Sequence, residues 1–200
     1  MIFQVTDVQL FKQKALAWAN EFDTVCYLDS NNFTDPYGKF DSLIAVGAKE
    51  EVTANAGNAF AQLGKFRERN SGFITGFFGY DLKNEVENLH SANPDQLQFP
   101  DLYFFAPEFT ISFKGTTVDI TGGNEAEVFE TVDSIELPKD TDAQGIHLHA
   151  RFSKTEYIDA VEKIQGHINR GDIYVTNFCQ EFYAENADIA PLAIFNKLNI

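Results

Sequence analysis

Four histidines, two cysteines and many carboxylates are the groups in this chain with reactive potential, and their spacing limits what they can do. His147 and His149 alternate along an apolar run, so on a strand both face the same side. A metal site needs further ligands, and none lies near them in sequence, so they read as ordinary surface or hydrogen-bonding histidines. Cys26 and Cys179 are far apart, each beside large apolar residues, without the spacing of a metal site. They read as small buried residues of a reducing compartment. No Gly-x-Gly-x-x-Gly follows a strand, and no phosphate-binding loop or Gly-x-Ser-x-Gly elbow is present. The carboxylates form no diagnostic pair. By these rules alone the chain is an α+β domain without a legible reaction.

The elements that must position these groups can be read from hydrophobic period. Val8, Phe11, Ala15, Trp18 and Phe22 recur at helical spacing, with Thr6 or Asp7 as cap. TVCYLD (24–29) and SLIAVG (42–47) read as buried strands around a turn-rich loop, 30–41. Phe60, Leu63 and Phe66 mark a second helix, followed by the glycine-punctuated aromatic run GFITGFFGYD (72–81) and a polar stretch with Pro94 and Pro100. Residues 101–122 predict two strands joined at Lys114–Gly115, with an edge or bulge at Pro107. The acidic stretch after Gly122 predicts a short helix around EAEVFETVDSI and a linker, LPKDTDAQG (137–145). HLHARF (147–152) reads as a strand. Ser153 and Glu156 form a capping box that opens a helix with Tyr157, Val161, Ile164 and Ile168 on one face, ending at Gly171. IYVTNFCQEFYAE (173–185) reads as a strand, and Pro191 opens a last helix with Leu192, Phe195 and Leu198. This divides the chain into an N-terminal lobe (1–122), an acidic connecting segment (123–146) and the start of a second core (147–200), which reads as truncated because no cap or polar tail closes the last helix.

Composition excludes several classes. The 200 residues carry 30 Asp and Glu against 15 Lys and Arg, a net charge of −15, so nucleic-acid binding and attraction to anionic membranes are not expected. The 20 Phe and 7 Tyr point to a filled interior. No apolar run approaches the roughly 20 residues of a membrane span, and the start lacks a secretory pattern, so a cytoplasmic protein is expected. An anionic substrate would need locally placed cations against this global field.

Three segments carry more specific information: LDSNNFTDPYGKFDSLIAVG (28–47), FFGYDLKNEVENL (77–89) with FPDLYFF (99–105), and HINRGDIYVTNFCQEFYA (167–184). In this order and at these distances they resemble component I of the aminodeoxychorismate synthase (para-aminobenzoate synthase) family. The related anthranilate synthase component I family is similar but less close. The resemblance implies an α+β fold of packed β-sheets with outer helices, present here as the N-terminal portion. It implies that the first segment is part of a tryptophan-binding pocket, with Ser30, Tyr37, Gly38, Lys39, Phe40 and Asp41 at the matching positions; Lys39 stands where arginine is frequent. Asp41 and the Ser30 hydroxyl would serve the ammonium of such a ligand, while a packed, tyrosine-anchored loop without ligand is the alternative. Gly79, Tyr80 and Asp81 match the aminodeoxychorismate branch, with Tyr80 packed and Asp81 capping the next segment. Gly171, Asp172, Tyr174, Asn177 and Gln180 match the family's first core strand, which lies behind the active site; Val175 and Thr176 depart from its usual glutamine or glutamate and valine.

The same resemblance implies a parent enzyme that takes chorismate and ammonia, the latter from a glutamine amidotransferase subunit or domain, and uses magnesium. The product would be 4-amino-4-deoxychorismate, toward 4-aminobenzoate and folate, or anthranilate on the alternative branch. The family's lysine in a Pro-Ile-Lys-Gly-Thr-type motif and its magnesium carboxylates match nothing in these residues. No catalytic residue and no metal ligand is therefore expected here, and the 200 residues should be inert alone. A reading from another class is a module that binds tryptophan or a partner and does no chemistry.

Overall fold

The computed structural model describes residues 1–31, 33, 35–90, 95–137 and 146–199. The chain forms two compact units, Met1–Pro138 and Lys139–Ile200.

In the first unit a six-stranded antiparallel sheet carries everything else. Its order is β1 (Ile2–Gln4), β6 (Thr117–Thr121), β5 (Leu102–Lys114), β3 (Ser42–Ala54), β2 (Val25–Asp29), with β4 (Thr75–Phe78) also on β5. The two 13-residue strands β3 and β5 pair along nearly their whole length. On its other edge β5 pairs first with β4 through Leu102–Phe105 and then with β6 through Thr110–Lys114. Pro107 falls in the gap between these two partners, and it faces β3 where the register shifts between Ala48 and Glu50. A residue without an N–H is tolerated there because the ladder is already interrupted. Gly47 enters that bulge at φ +66, and a Cβ on it would lie 2.9 Å from the Glu108 side chain. At Gly76 a Cβ would stand 1.9 Å from the Tyr103 carbonyl oxygen, so β4 can approach β5 only with glycine at this position.

Two helices cover one sheet face. Helix α1 (Val8–Ala19) is capped by Asp7, whose carboxylate accepts from Leu10 N at 2.9 Å. Its Phe11, Ala15 and Trp18 meet Ile44, Val46, Ile111, Phe113, Val118 and Ile120. Helix α4 (Glu125–Ser134) adds Val128 and Val132 to the same core, and Phe129 stacks on Phe3 at 4.2 Å. This alters the expected division of the chain. The acidic helix is part of the lobe, because its apolar face is buried there, and the lobe runs past residue 122. The linker expected over 137–145 lies, apart from Leu137, outside the described residues.

Helix α2 (Ala59–Arg69) closes a second cluster of Ala54, Ala59, Leu82 and Leu102, and its Phe66 is fully buried. The helix has no cap from its own N-cap residue, Asn58. Glu85, on the short helix α3 (Lys83–Val86), supplies one from outside. Its carboxylate accepts from Gly57 N, Ala59 N and Phe60 N at 3.0, 2.8 and 3.2 Å. Partial burial pushes its pKa up, but the three backbone N–H groups outweigh this and hold it below the ordinary glutamate value.

The second unit holds α5 (Lys154–Arg170), α6 (Pro191–Leu198) and a two-stranded ladder of β7 (His149–Ala150) with β8 (Phe182–Tyr183). Ser153 and Glu156 make the predicted capping box, and Gly171 ends α5 at φ +80. No described residue of this unit is fully shielded from solvent.

Two measurements check these contacts. Phe66→Ala should cost about 3–5 kcal/mol in urea unfolding, the usual range for truncating a buried Phe. Glu85→Gln should lower the urea midpoint at neutral pH. Because the folded pKa of Glu85 is depressed, its contribution is full above the unfolded value and disappears as pH falls through the folded one. The gap between variant and wild type should therefore close on acidification.

Candidate functional site

The loop 30–41 is shaped by its own short polar side chains. The ladder pair Asp29–Ser42 closes its base, and Ser30 N donates to the Asp41 carbonyl at 2.8 Å. Asp29 accepts from Asn31 N at 3.1 Å, with Asn31 left-handed at φ +47. Asp35 accepts from Tyr37 N at 2.9 Å through its carboxylate and from Gly38 N at 3.2 Å through its carbonyl. Both are aspartate turns of the kind the sequence predicts. Below the loop, Asp29 accepts from the Tyr27 hydroxyl, and Lys12 Nζ of α1 lies 3.4 Å away. Burial pushes the Asp29 pKa up, but Tyr27, Asn31 N and Lys12 together pull it below the ordinary aspartate value. Burial foremost, and then the Asp29 carboxylate, push the Tyr27 hydroxyl well above its usual range.

The loop is latched to the turn between β5 and β6. Asp41 N donates to the Phe113 carbonyl at 2.7 Å, and Gly115 N donates to Asp41 Oδ2 at 2.8 Å. Lys114 Nζ lies 3.5 Å from Asp41 Oδ1 and donates to the Gly38 carbonyl at 2.9 Å. The structure thus gathers Gly38 and Asp41 around one lysine, with Ser30 joined to Asp41 through the backbone. Phe40 packs on Leu43, Ala45 and Phe105 beside Cys26 and Tyr103. Tyr37 is 92% exposed and Lys39 is exposed, so the loop is not tyrosine-anchored. Its anchor is Lys114, which the sequence shows only as part of a turn; no local pattern announces a contact 76 residues away.

The second segment differs from its expected role. Gly79 N donates to the Asp101 carbonyl at 2.6 Å where β4 ends. Tyr80 is 84% exposed, with Lys83 Nζ 4.5 Å from its ring centroid, rather than packed. Among the described residues the Asp81 side chain makes no capping bond; its carboxylate takes the Lys83 ammonium. The two side chains after Gly79 lie at the surface, and Leu82 returns to the core. Beside them lie two adjoining open cavities. One, of about 460 Å³, is lined by Phe77, Tyr80, Leu97, Phe99 and Pro100 with Asp81, Asp95 and Asp101. The other, of about 480 Å³, shares Asp81, Asp95, Phe99 and Asp101 and adds Asn55, Asn84 and Gln98.

In the second unit the expected strand 173–185 reduces to Phe182–Tyr183. Residues 173–181 find no ladder partner among the described residues; the Glu181 carbonyl accepts from Arg151 N at 2.9 Å, but a strand without a neighbour leaves most of its N–H and C=O groups to water. Tyr174 is 93% exposed and Asn177 is exposed. Gln180 replaces part of a ladder: its amide bonds the Phe152 carbonyl at 2.8 Å and Phe152 N at 3.3 Å. Asp172 pairs with His167 and Arg170, both at 2.8 Å, behind the left-handed Gly171. His147 and His149 do share a side, with ring centroids 4.6 Å apart. Cys179 is exposed rather than buried, whereas Cys26 is half-buried with its Sγ 3.2 Å from Thr75 Oγ1. Among the described residues no three His, Cys, Asp or Glu side chains converge on a metal position, and no helix is long and apolar enough to cross a membrane.

The latch makes a specific prediction. Lys114→Met and Asp41→Asn should each raise the rate of limited proteolysis within 30–41 several-fold, with little change in global unfolding, since an exposed ion pair contributes only about 0–1 kcal/mol. Unchanged cleavage in both variants would show that the aspartate turns alone hold the loop.

Comparison with known proteins bears on what such a chain does. It is 29% identical over 116 residues to anthranilate synthase component 1 of Thermus thermophilus, covering 52% of this chain and 25% of that protein. It is 25% identical over 148 residues to anthranilate synthase component 1 of Cereibacter sphaeroides, covering 62% and 29%. The fold matches the crystal structure of anthranilate synthase component I from Streptococcus pneumoniae with a TM-score of 0.58 at 19% identity, over 83% of this chain and 46% of that one. The chain thus spans less than a third of the curated relatives and under half of the solved structure. The model of the chorismate binding enzymes matches residues 18–200, and by that match the chain belongs to the chorismate binding enzyme family.

Proposed function

We propose that this chain is the N-terminal part of an enzyme that aminates chorismate, and that the parent is component I of aminodeoxychorismate synthase. The observation that carries the first half is the family match over residues 18–200. The second half rests on the loop 28–47 and on the FFGYDL run, 77–82. In this reading the parent replaces the C4 hydroxyl of chorismate with an amino group, using ammonia delivered by a glutamine amidotransferase. A second reading, anthranilate synthase component I, is favoured by the names of both curated relatives and of the solved structure. There ammonia adds at C2 and pyruvate leaves.

These residues supply support rather than chemistry. Among the described residues no group of three His, Cys, Asp or Glu side chains is placed to hold a metal ion, so magnesium belongs to the proposal for the whole enzyme alone. The loop 30–41 is the tryptophan site of this proposal. Asp41 and Lys114 present opposite charges side by side, each about half exposed. Such a pair matches the ammonium and carboxylate of an amino acid, and Phe40 offers apolar wall beside it. Binding there would compete with the ion pair itself, so the affinity is set against the loop's own latch.

Product analysis decides between the readings. The full-length gene product is incubated with chorismate, ammonia and magnesium. Aminodeoxychorismate without pyruvate is the expected outcome; anthranilate with pyruvate would move the protein to the second reading. The 200-residue chain alone should show no turnover in the same assay, and measurable turnover would overturn the assignment of the chemistry to other residues.

A further inference from the structure

The two adjoining cavities beside β4 lie outside the loop 30–41 and play no part in the function proposed above. Their walls differ in chemistry. Phe77, Tyr80, Leu97 and Phe99 form an apolar shelf in which each side chain is at least 41% exposed. Phe99 meets Phe77 edge-on at 6.4 Å, and Phe77 rests on Tyr103 at 6.1 Å, so the shelf is preformed. The neighbouring cleft is lined by Asp81, Asp95 and Asp101 together with the amides of Asn55, Asn84 and Gln98. Asp95 accepts from Leu97 N and Gln98 N at 3.1 and 3.0 Å, and Asp101 from Ala56 N at 2.8 Å. These bonds fix the carboxylates without neutralising them. Lys83 offsets Asp81 alone. Asn84 Oδ1, a further acceptor on this cleft, is buried without a hydrogen-bond partner among the described residues.

From this juxtaposition we infer that the shelf and cleft form a docking surface for a segment of a partner protein that presents an apolar side chain next to a lysine or arginine. The apolar side chain lies on Phe77 and Phe99, and the cation enters among Asp81, Asp95 and Asp101. Charge complementarity selects the partner: three carboxylates against one lysine favour a cation, and an acidic segment would be repelled. The exposure of the shelf selects a macromolecule over a small ligand. A small-molecule site buries most of its ligand within concave walls, whereas an apolar centre with a charged rim is the anatomy of a protein interface.

The test uses the purified full-length gene product and a short fluorescein-labelled peptide alternating Lys or Arg with Phe or Leu, followed by fluorescence anisotropy. Binding is expected, weakened several-fold by raising salt from about 0.05 to about 0.3 M, as exposed charge pairs are screened. Asp95→Asn and Phe99→Ser should each weaken it about tenfold, the size of a typical interface anchor. Both positions are exposed, and circular dichroism of each variant checks that it folds. Three results overturn the inference: no binding up to about 100 µM, equal binding of a peptide with Glu at every basic position, or wild-type affinity in both variants. Sedimentation supplies a fourth. A dimer that Phe99→Ser dissociates would assign the surface to a second copy of this chain.

Discussion

Strand β5 is the constraint on which the first unit depends. It hydrogen-bonds β3 along one edge and both β4 and β6 along the other, so three segments far apart in sequence take their register from it. A register slip of one residue would turn Ile111 and Phe113 from the helix-covered core to the opposite face. The Pro107 interruption and the Ala48–Glu50 bulge stand opposite one another, which lets the sheet bend at one level without breaking either long strand. The same strand then sets the loop: it ends at Lys114, and Lys114 is what holds Gly38 and Asp41. Core and loop are therefore not independent. A change that shifts β5 moves the latch with it.

Much of this was legible in the sequence because it is local. The period of Val8–Trp18, the capping box at Ser153, the Lys114–Gly115 turn and the bulge at Pro107 each depend on residues a few positions apart, and each appears where the spacing places it. What was not legible depends on distant partners. Glu85 caps a helix that begins 26 residues earlier, and a capping residue read from sequence must adjoin its helix. Lys114 is a turn residue by every local rule. The acidic composition of Glu125–Ser134 suggested a connector, but a helix needs only one apolar stripe to join a core, and Val128 and Val132 supply it.

The opposite error occurred at 173–181. Alternating apolar and polar residues satisfy the strand pattern there, and the pattern is correct as a statement about what the segment is suited to. A strand, unlike a helix, cannot satisfy its own backbone; it exists only when another strand is beside it. Among the described residues that partner is missing, and the side chains suited to burial, Tyr174 and Val175, face solvent. The second unit as a whole follows the same logic, with Tyr157, Phe152 and Phe178 clustered at 5.1 to 5.9 Å but none of them buried.

The candidate site was legible to a different degree from the fold. Resemblance pointed to the stretch 28–47, and the structure latches its described residues to the turn between β5 and β6, but it redistributes the work among them. Of the residues expected to be polar contacts, Asp41 latches the loop with its carboxylate, whereas Ser30 closes it through its backbone N–H. A side chain that holds a loop can also read a ligand, provided the ligand offers the same charge as the partner it displaces. Lys114 and Asp41 form such a pair, since an amino acid carries both charges. The energetic condition is modest, because an exposed pair of this kind contributes about a kilocalorie per mole or less. A ligand that also covers Phe40 would exceed that with apolar contact alone. A weak latch is thus compatible with the binding proposed for this loop, whereas a buried ion pair at the same place would hold it shut.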